Sequence, residues 1–249
     1  MENAAPALMN SAAMDDVGAP LLTYCDDATG ERVELSATAL AGWAARTARL
    51  LREGCGLGAG SRAAVLLPPH WQTAAVLLGA WSAGVSVSFR LAATAGLPAL
   101  GPGADEPLDA TFVAPERVDN WLDDVPDAPH RFVSGLAADS EPPAGYRNFL
   151  AEVGRYPEAP AGFTPIGEGD AATVDGTSYR EWGRLARELA EIYDLRAGDR
   201  LLVDAAEHEH PVKWLLAPLA AGASVVLCAH LDPATAATRA EAEHATRVL

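Results

Sequence analysis

The sequence predicts an α/β fold in which two βαβ-rich lobes form a layered α/β/α arrangement. Three observations predict it: short apolar runs alternate with helical patterns, one such unit recurs later in the chain, and 49% of the 249 residues are apolar. An apolar fraction of that size is typical of a packed globular protein and excludes wholesale disorder. A chain of this length accommodates one large domain or two smaller lobes.

The first half of the chain alternates strands and helices as a parallel sheet with crossover helices requires. A strand pair near 21–24 and 32–35 comes first, and Ser36 stands at the N-cap of the next helix. The glycines of 54–60 follow a helix and precede a strand, so they predict a turn and not a dinucleotide-binding loop. The later predicted elements are strands at 63–67, 85–89, 109–114 and 131–134 and helices at 71–83, 116–125 and 147–155.

A Pro- and Gly-rich passage at 156–169 is interpreted as the boundary between lobes. The domain prediction therefore has three parts: a flexible tail at 1–18, a first α/β lobe at 19–155 and a second α/β lobe at 156–249. The two lobes are expected to form one compact unit.

A segment of the first lobe recurs in the second lobe at a constant offset of 138 residues. Residues 57–87 align without gaps on 195–225, with 12 identities in 31 positions that include His70 on His208. Duplication explains this match. Convergence does so too, because alanine-rich βα units with glycine turns resemble one another for physical reasons. Either origin predicts two similar βαβ layers.

Charge, cysteine usage and hydropathy narrow the functional classes. The net charge of −16 argues against nucleic acid and membrane surfaces as partners, because binding to phosphates needs clustered Lys and Arg. Cys25, Cys55 and Cys228 lack the spacing of a disulfide framework or a zinc site. The N-terminus has no signal-peptide pattern, and the apolar stretches 74–89 and 214–231 fit buried helices that turn into strands. A soluble, cytoplasmic protein is expected.

Several motifs, taken in order, resemble a known superfamily. They are Glu34-Leu35-Ser36 before a helix, GAGSRAAVLLP at 58–68, LLGAWSAGVSV at 77–87, GDRLLV at 198–203 and LAPLAAGASVVL at 216–227. This series is similar to the N-terminal portion of the adenylate-forming (AMP-binding) superfamily, which includes acyl-CoA synthetases, luciferases and peptide-synthetase adenylation domains. The resemblance covers most of 21–249 and implies that superfamily's first two subdomains.

The chain departs from the superfamily where those enzymes hold the ATP phosphates. The family carries a Ser/Thr/Gly-rich loop ending in Pro-Lys-Gly there, and phosphate binding needs glycines, backbone N–H groups and a cation. Residues 170–179 have one glycine, no lysine and two aspartates. Gly176, Thr177 and Ser178 are the candidate remnant of the loop, although a plain helix N-cap accounts for Thr177 or Ser178 as well.

Two further points concern His208 and the missing lysine. The resemblance implies that a histidine or aromatic residue near His208 lines the acyl or adenylate pocket, which makes His208 a candidate for a ligand cleft. A metal site built from His208 and His210 is disfavoured, because alternating residues point to opposite sides.

The family's catalytic lysine follows this region, whereas no lysine follows Lys213 here.

The sequence therefore predicts a non-catalytic homologue of the AMP-binding N-terminal domain that acts as a small-ligand-binding, regulatory or scaffolding protein. It assigns no catalytic residue, metal or cofactor. The alternative is a component of an AMP-dependent acyl ligase that needs a separate chain for catalysis, and only that alternative implies ATP, AMP or an acyl ligand. The partners considered are a small molecule in a cleft between the lobes, a partner protein, and a second copy of the chain.

Overall fold

The computed structural model describes residues 19–95, 97, 101–120, 125–158 and 166–249. The tail predicted at 1–18 lies outside these residues, as do parts of the predicted helix at 116–125 and of the predicted boundary passage. Within the described ranges, no helix combines the length and apolarity needed to cross a bilayer.

The elements follow the predicted alternation of strands and helices. In chain order they are β1 (Pro20–Asp26), β2 (Arg32–Ser36), α1 (Ala37–Arg49) with a π-helical turn (Leu50–Gly54), β3 (Arg62–Leu66), α2 (Trp71–Ala83), β4 (Ser86–Phe89), a 3-10 turn (Ala92–Thr94), β5 (Ala110–Val113), α3 (Pro115–Val118), β6 (His130–Val133), β7 (Arg147–Asn148), α4 (Phe149–Val153), α5 (Tyr179–Ile192), β8 (Arg200–Asp204), a π-helical turn (Val212–Leu216), α6 (Ala217–Ala221), β9 (Ser224–Ala229), α7 (Ala236–Ala242) and β10 (Arg247–Val248). The fold class predicted from the sequence is confirmed. The helix predicted at 147–155 is shorter, because Asn148 caps it and accepts hydrogen bonds from the N–H groups of Leu150 and Ala151.

The described residues divide into two compact units that are interleaved along the chain. The first unit contains 41–68 and 75–179, and the second contains 19–40, 69–74 and 180–249. This division differs from the predicted lobes at 19–155 and 156–249. The reason is that β1, near the start of the described chain, pairs in parallel with β9, near its end.

Each unit is built on its own sheet. In the first unit the strand order is β4-β3-β5-β6-β7, and every neighbouring pair is parallel. In the second unit the order is β10-β8-β9-β1-β2, with a single antiparallel pair between β1 and β2. Strands β3, β5, β8 and β9 are almost wholly buried. Because parallel strands are covered on both faces, their sequences are nearly continuous apolar runs.

Local signals in the sequence explain where the first helices begin. The Ser36 hydroxyl accepts a hydrogen bond from the Ala39 N–H at 3.2 Å, which confirms the predicted N-cap of α1. At the start of α2, the Nδ1 atom of His70 accepts from the Gln72 N–H at 3.1 Å. A side chain that accepts such a bond satisfies one of the free N–H groups of a helix N-terminus.

Candidate functional site

The segment 170–178, where the sequence resemblance places the family's phosphate loop, is attached to the edge of the first unit's sheet. Thr173 forms a parallel bridge with Val87 of β4. The Val87 N–H donates to the Ala172 carbonyl at 3.0 Å, and the Val174 N–H donates to the Val87 carbonyl at 3.2 Å. The segment therefore extends the sheet as a short added strand, a conformation unlike a loop that opens around a ligand.

Three other backbone N–H groups of this segment make hydrogen bonds within the segment itself. Ala172 and Thr173 both donate to the Thr177 carbonyl, at 2.9 and 3.3 Å, and Gly176 donates to the Thr173 carbonyl at 3.0 Å. Gly176 has a φ of 91°, a conformation that favours glycine and closes the turn. Backbone N–H groups bind an anion only when they are free to point at it. Here they stabilise the turn.

A carboxylate accepts hydrogen bonds from two donors of this turn. The Asp175 Oδ1 atom accepts hydrogen bonds from the Thr173 hydroxyl at 2.6 Å and from the Thr177 N–H at 3.0 Å. Burial would raise the pKa of Asp175, but these hydrogen bonds outweigh it and hold the pKa below its ordinary value of 3.8. Asp175 is therefore charged at neutral pH, and it would repel a phosphate placed beside it.

Two buried aromatic residues, neither of them predicted from the sequence to have this role, hold the segment in place. The Trp81 indole N–H donates to the Ala172 carbonyl at 3.0 Å, and the Tyr179 hydroxyl donates to the Trp81 carbonyl at 3.0 Å. Burial raises the pKa of Tyr179, so this hydroxyl stays protonated and remains a donor. The clue in the sequence was a tryptophan in the last turn of α2, but helix periodicity alone explains such a residue as core packing.

Of the candidate residues, Gly176, Thr177 and Ser178 lie together in this turn. Ser178 pairs with Ala171 in an antiparallel bridge that closes the segment just before α5 begins. Gly176 shapes the turn and Thr177 supplies both a donor and an acceptor to it. Their positions are those of a closed turn leading into a helix.

His208 lies in the second unit, in the connection between β8 and the helix that follows. Its N–H donates to the Asp204 carbonyl at 3.2 Å, and its Nδ1 atom is buried without a hydrogen-bond partner in the described part of the chain. Burial and the neighbouring Lys213 lower the pKa of His208, while Asp204 acts in the opposite direction. The side chain is therefore neutral at pH 7. In the described residues, no group of three or more His, Cys, Asp or Glu side chains is arranged to hold a metal ion.

In the second copy of the repeat, His210 takes the structural place that His70 takes in the first copy. Its Nδ1 atom accepts from the Val212 N–H at 3.3 Å, two residues on, as His70 accepts from Gln72. The His210 ring also stacks on Trp182 at 5.6 Å between ring centroids. The ungapped alignment pairs His70 with His208, because it does not register that the connection after β8 is longer than the one after β3.

A relative and several solved structures resemble this chain. No protein-family model matches it. A Mycobacterium tuberculosis protein described as a TIGR03089 family protein is 37% identical over 245 residues, which cover 94% of this chain and 93% of that protein.

The solved structures confirm the fold. Acetoacetyl-CoA synthetase from Streptomyces lividans matches with a TM-score of 0.72 at 18% identity, over 99% of this chain and 42% of that one. The Brucella canis acyl-CoA synthetase matches with a TM-score of 0.72 at 18% identity, over 99% and 46%. The M. tuberculosis fatty acyl CoA synthetase matches with a TM-score of 0.68 at 14% identity, over 99% and 48%. The chain thus spans less than half the length of these three structures.

Proposed function

This chain belongs to the TIGR03089 family, and from that premise we propose that it is a non-catalytic protein built on the N-terminal fold of AMP-binding enzymes. It acts as a binding or scaffolding protein and does not activate carboxylic acids with ATP. The observation that carries this proposal is the closed state of the segment 170–178.

The closed turn is incompatible with the chemistry of a triphosphate site. A phosphate loop works through free N–H groups and a cation, which together offset the charge of the phosphates. In this segment the Thr177 N–H and the Thr173 hydroxyl are both bonded to the Asp175 carboxylate. A triphosphate would have to displace that carboxylate and then remain next to its negative charge, which is unfavourable in a partly buried site.

Opening the segment is also opposed by the core of the first unit. Its attachment uses backbone bonds to Val87 and the indole N–H of Trp81, which is 1% exposed. Tyr179, 2% exposed, fixes the end of the segment through its bond to the Trp81 carbonyl. Leaving such buried groups without partners costs about 1–3 kcal/mol each, so the open form is rare without a ligand that repays this cost.

Titration of the purified full chain with Mg-ATP in a calorimeter tests the proposal. We expect no binding heat up to millimolar nucleotide, whereas an authentic acyl-CoA synthetase measured in parallel gives a clear isotherm. Affinity at millimolar or better, or pyrophosphate release from ATP and a carboxylic acid, would contradict the proposal. A component of an AMP-dependent ligase that is completed by another chain also requires ATP binding here, so the same titration separates the two.

A pair of matched variants sharpens the test. Asp175→Asn removes the negative charge inside the turn. Asp170→Asn is the control, because it removes a nearby negative charge from a carboxylate that accepts from the Gly167 N–H at 2.8 Å and not from the turn. We expect neither variant to bind ATP, because the N–H groups of Ala172, Thr173, Val174 and Gly176 keep their backbone partners. Binding by Asp175→Asn alone would mean that the segment is a masked phosphate site, which sinks the proposal.

A further inference from the structure

Two of the three cysteines lie opposite each other on neighbouring strands of the second unit. Cys25 of β1 and Cys228 of β9 are direct partners in the parallel register of these strands. Both side chains pack in one buried cluster with Leu202 and Val226, so they point to the same face of the sheet. Neighbouring strands lie about 4.8 Å apart, which is within the range of Cα–Cα distances that a disulfide spans.

The Cys228 thiol and two arginines outweigh burial and Glu243, and together they lower the pKa of Cys25. The Arg32 Nη1 atom donates to the Cys25 Sγ atom at 3.0 Å and to the Glu243 carboxylate at 2.5 Å. A hydrogen bond from the Cys228 thiol is the main cause that lowers the pKa of Cys25. Arg32 and Arg239 act in the same direction, while burial and Glu243 oppose them. The pKa of Cys228 is raised by the same hydrogen bond and by burial. These contacts favour Cys25 over Cys228 as the sulfur that ionises, while the Cys25 thiol, when protonated, donates to the Glu243 Oε1 atom at 3.9 Å.

A small oxidant can reach Cys25 through a limited movement. The thiol itself is buried, with 4% of Cys25 exposed, but the Arg32 side chain in contact with it is 44% exposed. Rotation of Arg32 into solvent, away from Glu243 and Glu34, would open the polar side of this sulfur. On its apolar side, Leu231, Ala240 of the short helix α7 and Ala245 pack against the cluster that holds Cys25, and all three are only partly buried.

We propose that Cys25 and Cys228 form a redox-active dithiol that a peroxide converts reversibly into a disulfide. The Cys25 thiolate attacks hydrogen peroxide, the O–O bond breaks, and Cys25 becomes a sulfenic acid with release of hydroxide. The Cys228 sulfur then attacks the Cys25 sulfur, the S–O bond breaks, and water leaves with the Cys228 proton. Two thiols and one peroxide thus give one disulfide and two waters. A thiol reductant reverses the change.

The experiment treats the native full chain with a small excess of hydrogen peroxide and maps its peptides without reduction. We expect a Cys25–Cys228 linked peptide, one remaining free thiol at Cys55, and recovery of all three thiols with dithiothreitol. Cys55 serves as an internal reference because it lies in the first unit and burial raises its pKa. Three thiols that stay free, a linkage through Cys55, or over-oxidation of Cys25 without a disulfide would overturn the proposal.

Variants assign the role of each sulfur. Cys55→Ser should form the disulfide as the wild type does, whereas Cys228→Ser, which keeps a hydrogen-bond donor beside Cys25, should stop at a Cys25 sulfenic acid that dimedone traps. Failure of Cys55→Ser to form the disulfide, or absence of the dimedone adduct on Cys25 in Cys228→Ser, counts against the assignment.

The contribution of Arg32 is measured by the rate at which iodoacetamide alkylates Cys25. Arg32→Gln should slow this reaction at pH 7 by roughly tenfold and move its pH profile to higher pH. Arg196→Gln, a change at an exposed arginine of the same unit, should leave rate and profile unchanged. A purely structural role of Arg32 would alter stability without moving the pH profile, and that result would remove Arg32 from the proposal.

Discussion

The two copies of the repeated segment share a backbone but differ in the side chains that surround it. In the first copy Arg62 pairs with Ser86 in the β3–β4 register, and in the second Arg200 pairs with Ser224 in the β8–β9 register, which is the same alignment at the offset of 138 residues. The turns before the strands also match, with a φ of 88° at Gly60 and 87° at Gly198. The shared scaffold is thus encoded locally.

The copies differ in the connection from strand to helix and in the helix itself. The first copy has a short connection to α2, a regular α-helix, whereas the second has a longer connection and a π-helical turn before α6. The outer edges differ too, since β4 receives the segment 170–178 and β9 pairs with β1. The lesson is that local signals set the βαβ unit, while its neighbours decide what chemistry it can carry.

The largest expected effect concerns the histidine that caps each helix. Burial lowers the pKa of His70 to about 4, although Asp26 opposes it, and burial also lowers the pKa of His210. The unfolded chain therefore binds a proton that folded His70 excludes between pH 6.5 and about 4. His70 contributes stability above pH 6.5, and this is lost as pH falls through the folded pKa.

Urea unfolding at several pH values measures this loss. Between pH 7 and 4 the wild type should lose about 3 kcal/mol more of its free energy of unfolding than His70→Asn, which keeps an acceptor at the cap but does not titrate. His210→Asn should reduce the pH dependence less. Equal acid sensitivity of wild type and His70→Asn would show that His70 is protonated in the folded state.

A smaller effect is expected at a helix contact present in the first copy. A Cβ atom on Gly79 would lie 2.4 Å from the Cβ atom of Thr47 on α1 and 2.9 Å from the Ala44 carbonyl oxygen. The second copy has Ala217 at the corresponding position, where the side chain is fully buried. Gly79→Ala should therefore destabilise the protein by about 2 kcal/mol through overpacking, against the usual helix preference for alanine.

The control for this contact is the reverse change in the second copy. Ala217→Gly should lower the free energy of unfolding by about 1–2 kcal/mol, from lower helix propensity and the loss of a buried methyl group. Both values come from urea unfolding followed by tryptophan fluorescence. A stabilising Gly79→Ala would indicate that α1 and α2 separate at little cost.

The smallest effect concerns the turn before each strand. In the first copy the Ser61 hydroxyl accepts from the Gly58 N–H at 3.1 Å, and in the second the Asp199 carboxylate accepts from the Arg196 N–H at 2.8 Å. A hydrogen bond from Thr246 is the main cause that lowers the pKa of Asp199 below 3.8. Asp199 therefore stabilises the fold above that pH, and its contribution is lost as pH falls through the folded pKa.

Replacing Asp199 with the residue of the first copy tests this difference. Asp199→Ser should lower the free energy of unfolding by about 0.5 kcal/mol at pH 7, and the difference from wild type should shrink in acid. The opposite swap, Ser61→Asp, should destabilise the protein at neutral pH. In the first copy Asp109 accepts from the Arg62 N–H as Thr246 accepts from the Arg200 N–H in the second, so a new carboxylate at position 61 would meet a negative charge in place of a hydroxyl. If Asp199→Ser differs from wild type equally at pH 7 and pH 3, the carboxylate charge is not the cause.

The sequence by itself determined the βαβ alternation, the N-cap at Ser36, the limits of α2 and the repeat with its register. Each of these depends on residues close in the chain: apolar period, capping side chains and glycines with positive φ. It also predicted, by resemblance, that residues 170–179 are the place where the chain departs from AMP-binding enzymes, and this stays a prediction.

Tertiary structure alone decided the rest, because the partners are distant in sequence. The pairing of β1 with β9 assigns 19–40 to the second unit and places Cys25 beside Cys228. Trp81 reaches the carbonyl of Ala172 across 91 positions of sequence, a contact that no local pattern encodes. Whether a backbone N–H is free or bonded depends on such contacts, and that is why the closed state of the turn could not be read from its residue types.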